Sequence, residues 1–138
     1  MGSQPLILLD SQALVWLASG DKRLGRRSRA AADRALADGK LAASAVSFWE
    51  VALLVAKRRL RLGLPPLSWR EQLLRSGLLE IEVDGEIAIA AAQIGDFHGD
   101  PADRFIVATA SRAGATLITA DQRILEWKGS LRRQDAAE

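Results

Sequence analysis

Four acidic residues could act together although they are widely spaced along the chain: Asp10, Glu50, Asp103 and Asp121. Carboxylates that converge within several ångströms repel one another, and their pKa values rise unless a cation compensates the charge. Oxygen ligands of this kind suit hard divalent ions, Mg²⁺ or Mn²⁺. Because the chain has no cysteine and one histidine, such a site points to metal-assisted attack of water on a phosphodiester.

Two of these acids follow predicted strands. The apolar run Leu6–Leu9 is typical of a strand buried on both faces of a parallel sheet, and Asp10 follows it directly. Ala115–Thr119 is a second run of strand length, with Asp121 just beyond it. Since the carboxyl ends of parallel strands meet at one edge of a sheet, we expect Asp10 and Asp121 to lie at the same edge.

The other two acids lie near the predicted starts of helices. Ser47 and Glu50 fit the ends of a capping box that opens a helix running to about Leu60. Asp100, followed by proline, predicts the N-cap of a second helix that carries Asp103 in its first turn. Helix starts that follow parallel strands face the same sheet edge, so all four acids are predicted to converge.

A purely structural explanation remains open for each acid. Glu50 and Asp103 would occupy the third position of their helices, where an acid closes a capping box or meets the positive end of the helix dipole. Asp10 and Asp121 could each cap the short helix that follows the strand. Caps explain each acid singly, whereas a metal site explains the set.

Three neighbouring residues have several explanations each. His98 is either a hydrogen-bonding loop residue or a general base. Arg104 could pair with an acid, lie on the surface or contact a phosphate, and Thr119 could orient a ligand or simply end its strand. The sequence does not choose between these alternatives.

The remaining elements continue the alternation of strands and helices. Leu41–Ala43 and Leu78–Val83 predict two further strands, while Ser28 and Ser68 predict the N-caps of two further helices. This order predicts an α/β fold with a mostly parallel sheet covered by helices on both sides.

The length of 138 residues is that of a single domain. We expect one domain over residues 1–138, with an ordered core of about 5–128 and a polar tail, 129–138, that frays. The chain has no cysteine, which excludes disulfides and zinc–thiolate sites. It has neither an apolar run of membrane-spanning length nor a signal-peptide pattern, so we expect a cytoplasmic protein without a membrane partner.

Positive charge is unevenly distributed although the net charge is only +2. Residues 22–29 and 57–61 form two basic runs. Such runs are either solvated faces or sites that bind a phosphate backbone.

Four segments together resemble a known family. They are LLDSQALVWL (8–17), SAVSFWEVALLVAKRRLRL (44–62), HGDPADRFIVATA (98–110) and LITADQRIL (117–125). In this order and spacing they resemble the PIN-domain family, and within it the VapC-type toxins of bacterial type II toxin–antitoxin modules. The resemblance covers nearly the whole chain.

The resemblance implies a three-layer α/β/α domain with a sheet of four to five strands. It also implies a Mg²⁺- or Mn²⁺-dependent endoribonuclease that hydrolyses phosphodiester bonds of RNA. The family's acids fall on the four positions identified above: Asp10 and Asp103 would be the principal metal ligands, and Glu50 and Asp121 would complete the site or orient the attacking water.

The resemblance further implies a homodimer and inhibition by a cognate VapB-like antitoxin whose C-terminal segment covers the acidic pocket. The alternative is a PIN-type module that binds RNA or protein without cleaving it. Modules of that kind usually lose acids, whereas all four are present here. A phosphatase of the haloacid-dehalogenase type would need a second acid two residues after Asp10, where this chain has Gln12.

Overall fold

The computed structural model describes residues 5–97 and 99–138. In this part of the chain, seven helices alternate with five strands: β1 (Ile7–Leu9), α1 (Ser11–Ser19), α2 (Arg26–Ala37), β2 (Leu41–Ser44), α3 (Ala45–Ala56), α4 (Pro66–Arg75), β3 (Leu79–Ile81), α5 (Gly85–Gln93), α6 (Pro101–Ala113), β4 (Thr116–Thr119), α7 (Gln122–Glu126) and β5 (Arg133–Asp135). None of the helices so described is long and apolar enough to span a bilayer.

The five strands form one parallel sheet in the order β3-β2-β1-β4-β5. Leu8 of β1 pairs with Ala42 of β2 on one side and with Leu117 of β4 on the other. The chain therefore leaves β1 in one direction to build β2 and β3, and returns to its other side to build β4 and β5. This arrangement makes the carboxyl edge between β1 and β4 a topological switch point, where α/β proteins bind ligands.

Helices cover both faces of the sheet because successive side chains of a strand point to opposite faces. Leu9 and Ala43 pack with buried residues of α1, α2, α3 and α4 on one face. Leu8, Ala42 and Leu117 pack with α6 and α7 on the other. The predicted three-layer α/β/α fold is confirmed, with five strands in its sheet.

The predicted fraying of the tail 129–138 is wrong for its last part. Arg133–Asp135 form β5, which pairs with β4. The pairing rests on main-chain hydrogen bonds at the sheet edge, so it does not need the apolar alternation that was absent from the sequence. Beyond β5, Ala136 is buried, and its carbonyl accepts a hydrogen bond from the Gly25 N–H at 2.7 Å.

Two predicted helix starts are also wrong. Helix α2 begins at Arg26, before the predicted cap Ser28. Ser28 is fully buried, and its hydroxyl donates to the carbonyl of Asp135 instead. Helix α4 begins at Pro66, so Ser68 lies inside its first turn; proline is favoured at the first helical position because its fixed φ suits the helix.

The predicted end of α3 near Leu60 is too late. The helix ends at Ala56, and Arg58 then adopts a left-handed conformation with a φ of 59°. The Arg59 N–H donates back to the carbonyl of Leu54 at 2.9 Å, which satisfies one of the last helical carbonyls. This early end places the second basic run on the connection that follows α3.

Candidate active site

A cleft of about 500 Å³ opens at the carboxyl edge of the sheet, at the switch point. All four predicted acids line it: Asp10, Glu50, Asp103 and Asp121. Asp100 lines the same cleft. The convergence predicted from strand ends and helix starts is therefore observed.

Asp10 both caps a helix and lies in the cleft. Its Oδ1 accepts the Ala13 N–H at 2.7 Å, which caps α1. Its Oδ2 accepts the Thr119 hydroxyl at 2.6 Å and the Ala120 N–H at 3.0 Å. Burial raises the pKa of Asp10 above its usual value, although these hydrogen bonds oppose the rise. Capping therefore uses one oxygen of a carboxylate that three donors hold in place.

Glu50 has no capping role, contrary to the simplest structural explanation. Ser44, at the end of β2, caps α3 by accepting the Val46 N–H, and the helix begins at Ala45. The capping box predicted from Ser47 is therefore wrong, and Glu50 lies in the second turn. With that explanation removed, the position of Glu50 in the cleft needs another reason.

Two serines lie close to Glu50. The hydroxyls of Ser11 and Ser47 share one hydrogen bond of 2.9 Å, and both serines are buried. Burial raises the pKa of Glu50; the hydrogen bond from Ser11 opposes the rise, and repulsion from Asp100 adds to it. These serines were not among the predicted site residues. Their positions in the sequence could have identified them, since Ser11 directly follows Asp10 and Ser47 precedes Glu50 by about one helical turn.

Asp103 has the most perturbed carboxyl group of the four. Its N–H donates to Asp100 Oδ1 at 2.9 Å, so Asp100 caps α6 as predicted. Burial, followed by repulsion from Asp100 and Asp121, raises the pKa of Asp103 to about 8. At neutral pH this group retains a proton unless a cation compensates the negative charge around it.

Asp121 lies beside an arginine that sequence reasoning did not identify. Its Oδ1 accepts the Arg123 N–H at 2.8 Å, which caps α7. The Arg123 guanidinium nitrogen Nη2 lies 3.0 Å from Asp121 Oδ2 and 3.4 Å from Asp103 Oδ2. Burial acts to raise the pKa of Asp121, but the hydrogen bonds from Arg123 outweigh it and the pKa is lowered.

Thr119 connects two of the acids. The residue is fully buried, its hydroxyl donates to Asp10 Oδ2, and its Oγ1 accepts the Asp121 N–H at 3.0 Å. Of the two explanations left open, orientation of a neighbouring polar group is the one observed. Thr119 therefore fixes the relative positions of the first and last acids.

Arg104 points away from the acids. Its guanidinium donates to the carbonyls of Ala91, Ile94 and Phe97 at 2.9, 3.0 and 2.9 Å. These bonds tie the end of α5 and the following connection to the start of α6, beside Asp103. His98, in the same connection, lies outside the described residues.

Arginines from both basic runs reach the cleft. Arg23 and Arg59 line it together with Arg123. Asp21 holds Arg23 with an Nη2–Oδ2 distance of 2.7 Å, and the guanidinium lies over the ring of Trp16 at 5.2 Å. The cleft therefore combines an acidic floor with basic side chains.

The donor set fits a hard divalent ion in its chemistry. Every candidate ligand is a carboxylate oxygen. Burial is the main cause of the raised pKa values of Asp10, Glu50 and Asp103, with repulsion between acids as a further cause, so a nearby cation would favour their charged forms. Across residues 5–97 and 99–138, however, no three acidic side chains are close enough together to hold an ion as they stand. Binding would therefore require side-chain movement within the cleft.

The sequence matches known proteins over most of its length. The model of the PIN domain family matches residues 7–129. Ribonuclease VapC22 of Mycobacterium tuberculosis (strain ATCC 25618 / H37Rv) is 36% identical over 118 residues, which cover 86% of this chain and 88% of that protein.

Solved structures share the fold at lower identity. The DNA-bound VapBC from Salmonella typhimurium has a chain that superposes with a TM-score of 0.71 at 16% identity, covering 96% of this chain and 99% of that one. A chain of VapBC2 from Rickettsia felis, bound to a DNA fragment from its promoter, gives a TM-score of 0.69 at 16% identity, covering 94% and 97%. The resemblance read from the four sequence segments is confirmed: this chain belongs to the PIN domain family.

Proposed function

We propose that this protein is the toxin of a VapBC-type type II toxin–antitoxin module and acts as a Mg²⁺- or Mn²⁺-dependent endoribonuclease. The observation that carries the proposal is the cleft itself. Four carboxylates from separate elements line it, and their burial and mutual repulsion raise the pKa of Asp103 to about 8. Its similarity to a ribonuclease, VapC22, supports the same activity.

Asp10 and Asp103 are the principal ligands in this proposal, and Glu50 and Asp121 complete the site or orient the attacking water. When bound, the ion offsets the charge of the scissile phosphate and lowers the pKa of a water molecule. Thr119 fixes Asp10 by a hydrogen bond, leaving its carboxylate less free to turn.

Glu50 is the proposed proton acceptor. Because burial raises its pKa, it is a better base than an exposed carboxylate. The water oxygen forms a bond to phosphorus as the bond from phosphorus to the 3′-oxygen breaks, and the water proton passes to Glu50. The 3′-oxygen leaves with a proton from solvent, so the products carry a 5′-phosphate and a 3′-hydroxyl.

The arginines of the cleft bind the RNA backbone in this proposal. Arg23 and Arg59 come from the two basic runs and line the cleft beside the acids. Contacts with phosphates are independent of sequence and weaken as salt is added. Raising the salt concentration should therefore weaken RNA binding before it affects the chemistry.

A VapB-like antitoxin and a second copy of the chain are the proposed protein partners. Large apolar side chains are exposed on three helices: Trp49 on α3 (57%), Leu67 on α4 (67%) and Ile89 on α5 (61%). Exposed apolar surface is typical of binding faces. The solved VapBC structures that share this fold support an antitoxin partner.

The test is cleavage of a mixed RNA population by the purified chain in Mn²⁺ and in EDTA. Wild type should cleave only with the ion, and end analysis should find 5′-phosphates. Asp10→Asn and Asp103→Asn should lower the rate by at least about a hundredfold while circular dichroism shows an intact fold. Asp33→Asn, which neutralises an exposed acid on α2, is the matched control and should cleave normally.

Two results would count against the proposal. Equal activity of wild type and Asp103→Asn would remove that residue from the site. RNA binding without cleavage in any divalent ion would favour the non-cleaving module instead.

A further inference from the structure

Arg123 already supplies a positive charge to the carboxylates that would bind the ion. Its Nη2 lies 3.0 Å from Asp121 Oδ2 and 3.4 Å from Asp103 Oδ2, and its Nε lies 3.3 Å from Asp121 Oδ1. One guanidinium therefore contacts both carboxylates, which come from α6 and from the cap of α7. These contacts use three of the four carboxylate oxygens that Asp103 and Asp121 could offer a divalent ion.

A guanidinium and a divalent ion cannot both use these oxygens in the same way. Mg²⁺ requires ligand oxygens at about 2.0–2.1 Å in octahedral geometry, so it would take lone pairs that now accept hydrogen bonds from Arg123. The two cations would also repel each other at such short range. Occupation by the ion therefore requires the Arg123 guanidinium to leave.

The surroundings of Arg123 allow it to leave without a change in the backbone. Its side chain is 54% exposed, whereas those of Asp103 and Asp121 are 12% and 19% exposed. The Arg123 N–H that Asp121 Oδ1 accepts belongs to the main chain and can remain when the guanidinium moves. The Arg123 side chain is thus the more exposed partner and has room to turn into solvent.

We propose that Arg123 is an internal competitor of the divalent ion, whose guanidinium occupies Asp103 and Asp121 until the ion displaces it. The inference rests on the proposed function, because it assumes that these two acids are ion ligands. It assigns to the chain itself a residue that weakens ion binding. Ion uptake is then an exchange of one cation for another at the same two carboxylates.

The test is isothermal titration calorimetry of Mn²⁺ into wild type and into Arg123→Gln. Glutamine keeps much of the side-chain length but has no charge. An ion pair between partly exposed groups corresponds to a factor of up to about five in affinity, so loss of two such pairs should tighten Mn²⁺ binding about five- to twentyfold.

Two controls separate direct competition from the general field of a positive charge. Arg59→Gln removes a charge that lines the same cleft, but the described hydrogen bonds and ion pairs do not join Arg59 to Asp103 or Asp121. Arg112→Gln removes a charge from the last turn of α6, nine residues beyond Asp103 and so about 14 Å along the helix. Arg112→Gln should change Mn²⁺ affinity by less than about twofold, because salt screens charges at such a distance. Arg59→Gln should change it clearly less than Arg123→Gln does, because Arg59 makes no described hydrogen bond or ion pair with either acid.

A second readout follows Arg123 directly. The ¹⁵N signal of its Nε should shift on titration with Mg²⁺, because the hydrogen bond to Asp121 is lost, and the shift should saturate with the ion affinity. The signal can be assigned by its absence from Arg123→Gln.

The outcomes distinguish this inference from the proposed function. Mn²⁺ binding that is lost in Asp103→Asn but equal in wild type and Arg123→Gln would overturn the competitor role and leave the ion site standing. An equal gain in Mn²⁺ affinity in Arg59→Gln would also overturn it, since the cause would then be the loss of any positive charge from the cleft and not direct competition. If neither wild type nor Arg123→Gln binds Mn²⁺, there is no ion to compete with and both proposals fail.

Discussion

Replacing Asp103 by asparagine should stabilise the fold at high pH while removing the proposed ion site. Burial and the neighbouring acids raise the pKa of Asp103 from 3.8 to about 8. An acid with a raised pKa in the folded protein contributes stability that is complete below about pH 3.8, is lost progressively as the pH rises from there, and is gone above about pH 8. Asparagine is uncharged at every pH and has nearly the same shape, so it should retain that contribution.

The magnitude follows from the shift after allowance for solvent. Each pKa unit corresponds to about 1.4 kcal/mol, but screening at the mouth of the cleft reduces the effect, and we expect about 2 kcal/mol at pH 9. In a domain of this size that corresponds to about 6 °C in melting temperature. At pH 5 the difference should shrink to about 2 °C, because the folded carboxyl is protonated there and the pH lies only about one unit above 3.8, where the unfolded carboxyl ionises.

The assay is thermal unfolding in EDTA at pH 5, 7 and 9, followed by circular dichroism. Wild type should lose stability with rising pH more steeply than Asp103→Asn, and Asp33→Asn should follow wild type. Parallel pH profiles for wild type and Asp103→Asn would refute the reasoning, because they would mean that Asp103 ionises in the folded protein as easily as in the unfolded chain.

Three further substitutions test contacts that hold the fold and the site. Gly25→Ala should lower the free energy of unfolding in urea by about 2 kcal/mol, because the added methyl would overlap the main chain of Glu138; unchanged stability would contradict the close packing of Gly25 against the C-terminal residues. Thr119→Val should weaken Mn²⁺ binding about tenfold in calorimetry, because Asp10 loses the hydroxyl that orients it; equal affinity would remove that role. Arg104→Met should cost about 3 kcal/mol and speed amide exchange in the connection between α5 and α6, because four carbonyls lose this donor; protection equal to that of wild type would contradict this.

The alternation of buried strands and amphipathic helices predicted the architecture because it is encoded locally. Asp10 and Asp121 could be placed at one sheet edge from strand ends alone, and Asp100 could be assigned as a cap from its position before proline. Each of these features depends on neighbours within a few residues. The general rules for crossovers then predicted a mostly parallel sheet covered by helices on both sides, but not the order of its strands.

The errors arose where a contact between distant parts of the chain overrides a local signal. Ser28 and Ser47 match capping patterns, but their hydroxyls bond to Asp135 and Ser11 across the core. Strand β5 is held by main-chain hydrogen bonds to β4, so it forms although its sequence has no apolar pattern. The position of Arg123 beside Asp103 depends on the completed fold, so no spacing along the chain could indicate it.

The residues of the cleft are synthesised far apart in time, so the cleft can be completed only near the end of synthesis. Asp10 is held by the hydroxyl of Thr119, which lies 109 residues later in the chain. At a synthesis rate of about 5–20 residues per second, the interval between the two is about 5–20 s. During that interval the nascent chain has its first acid but neither the strand that orients it nor the last acid. The proposed capacity to cleave RNA would therefore arise only late in synthesis, after both Thr119 and Asp121 have been added.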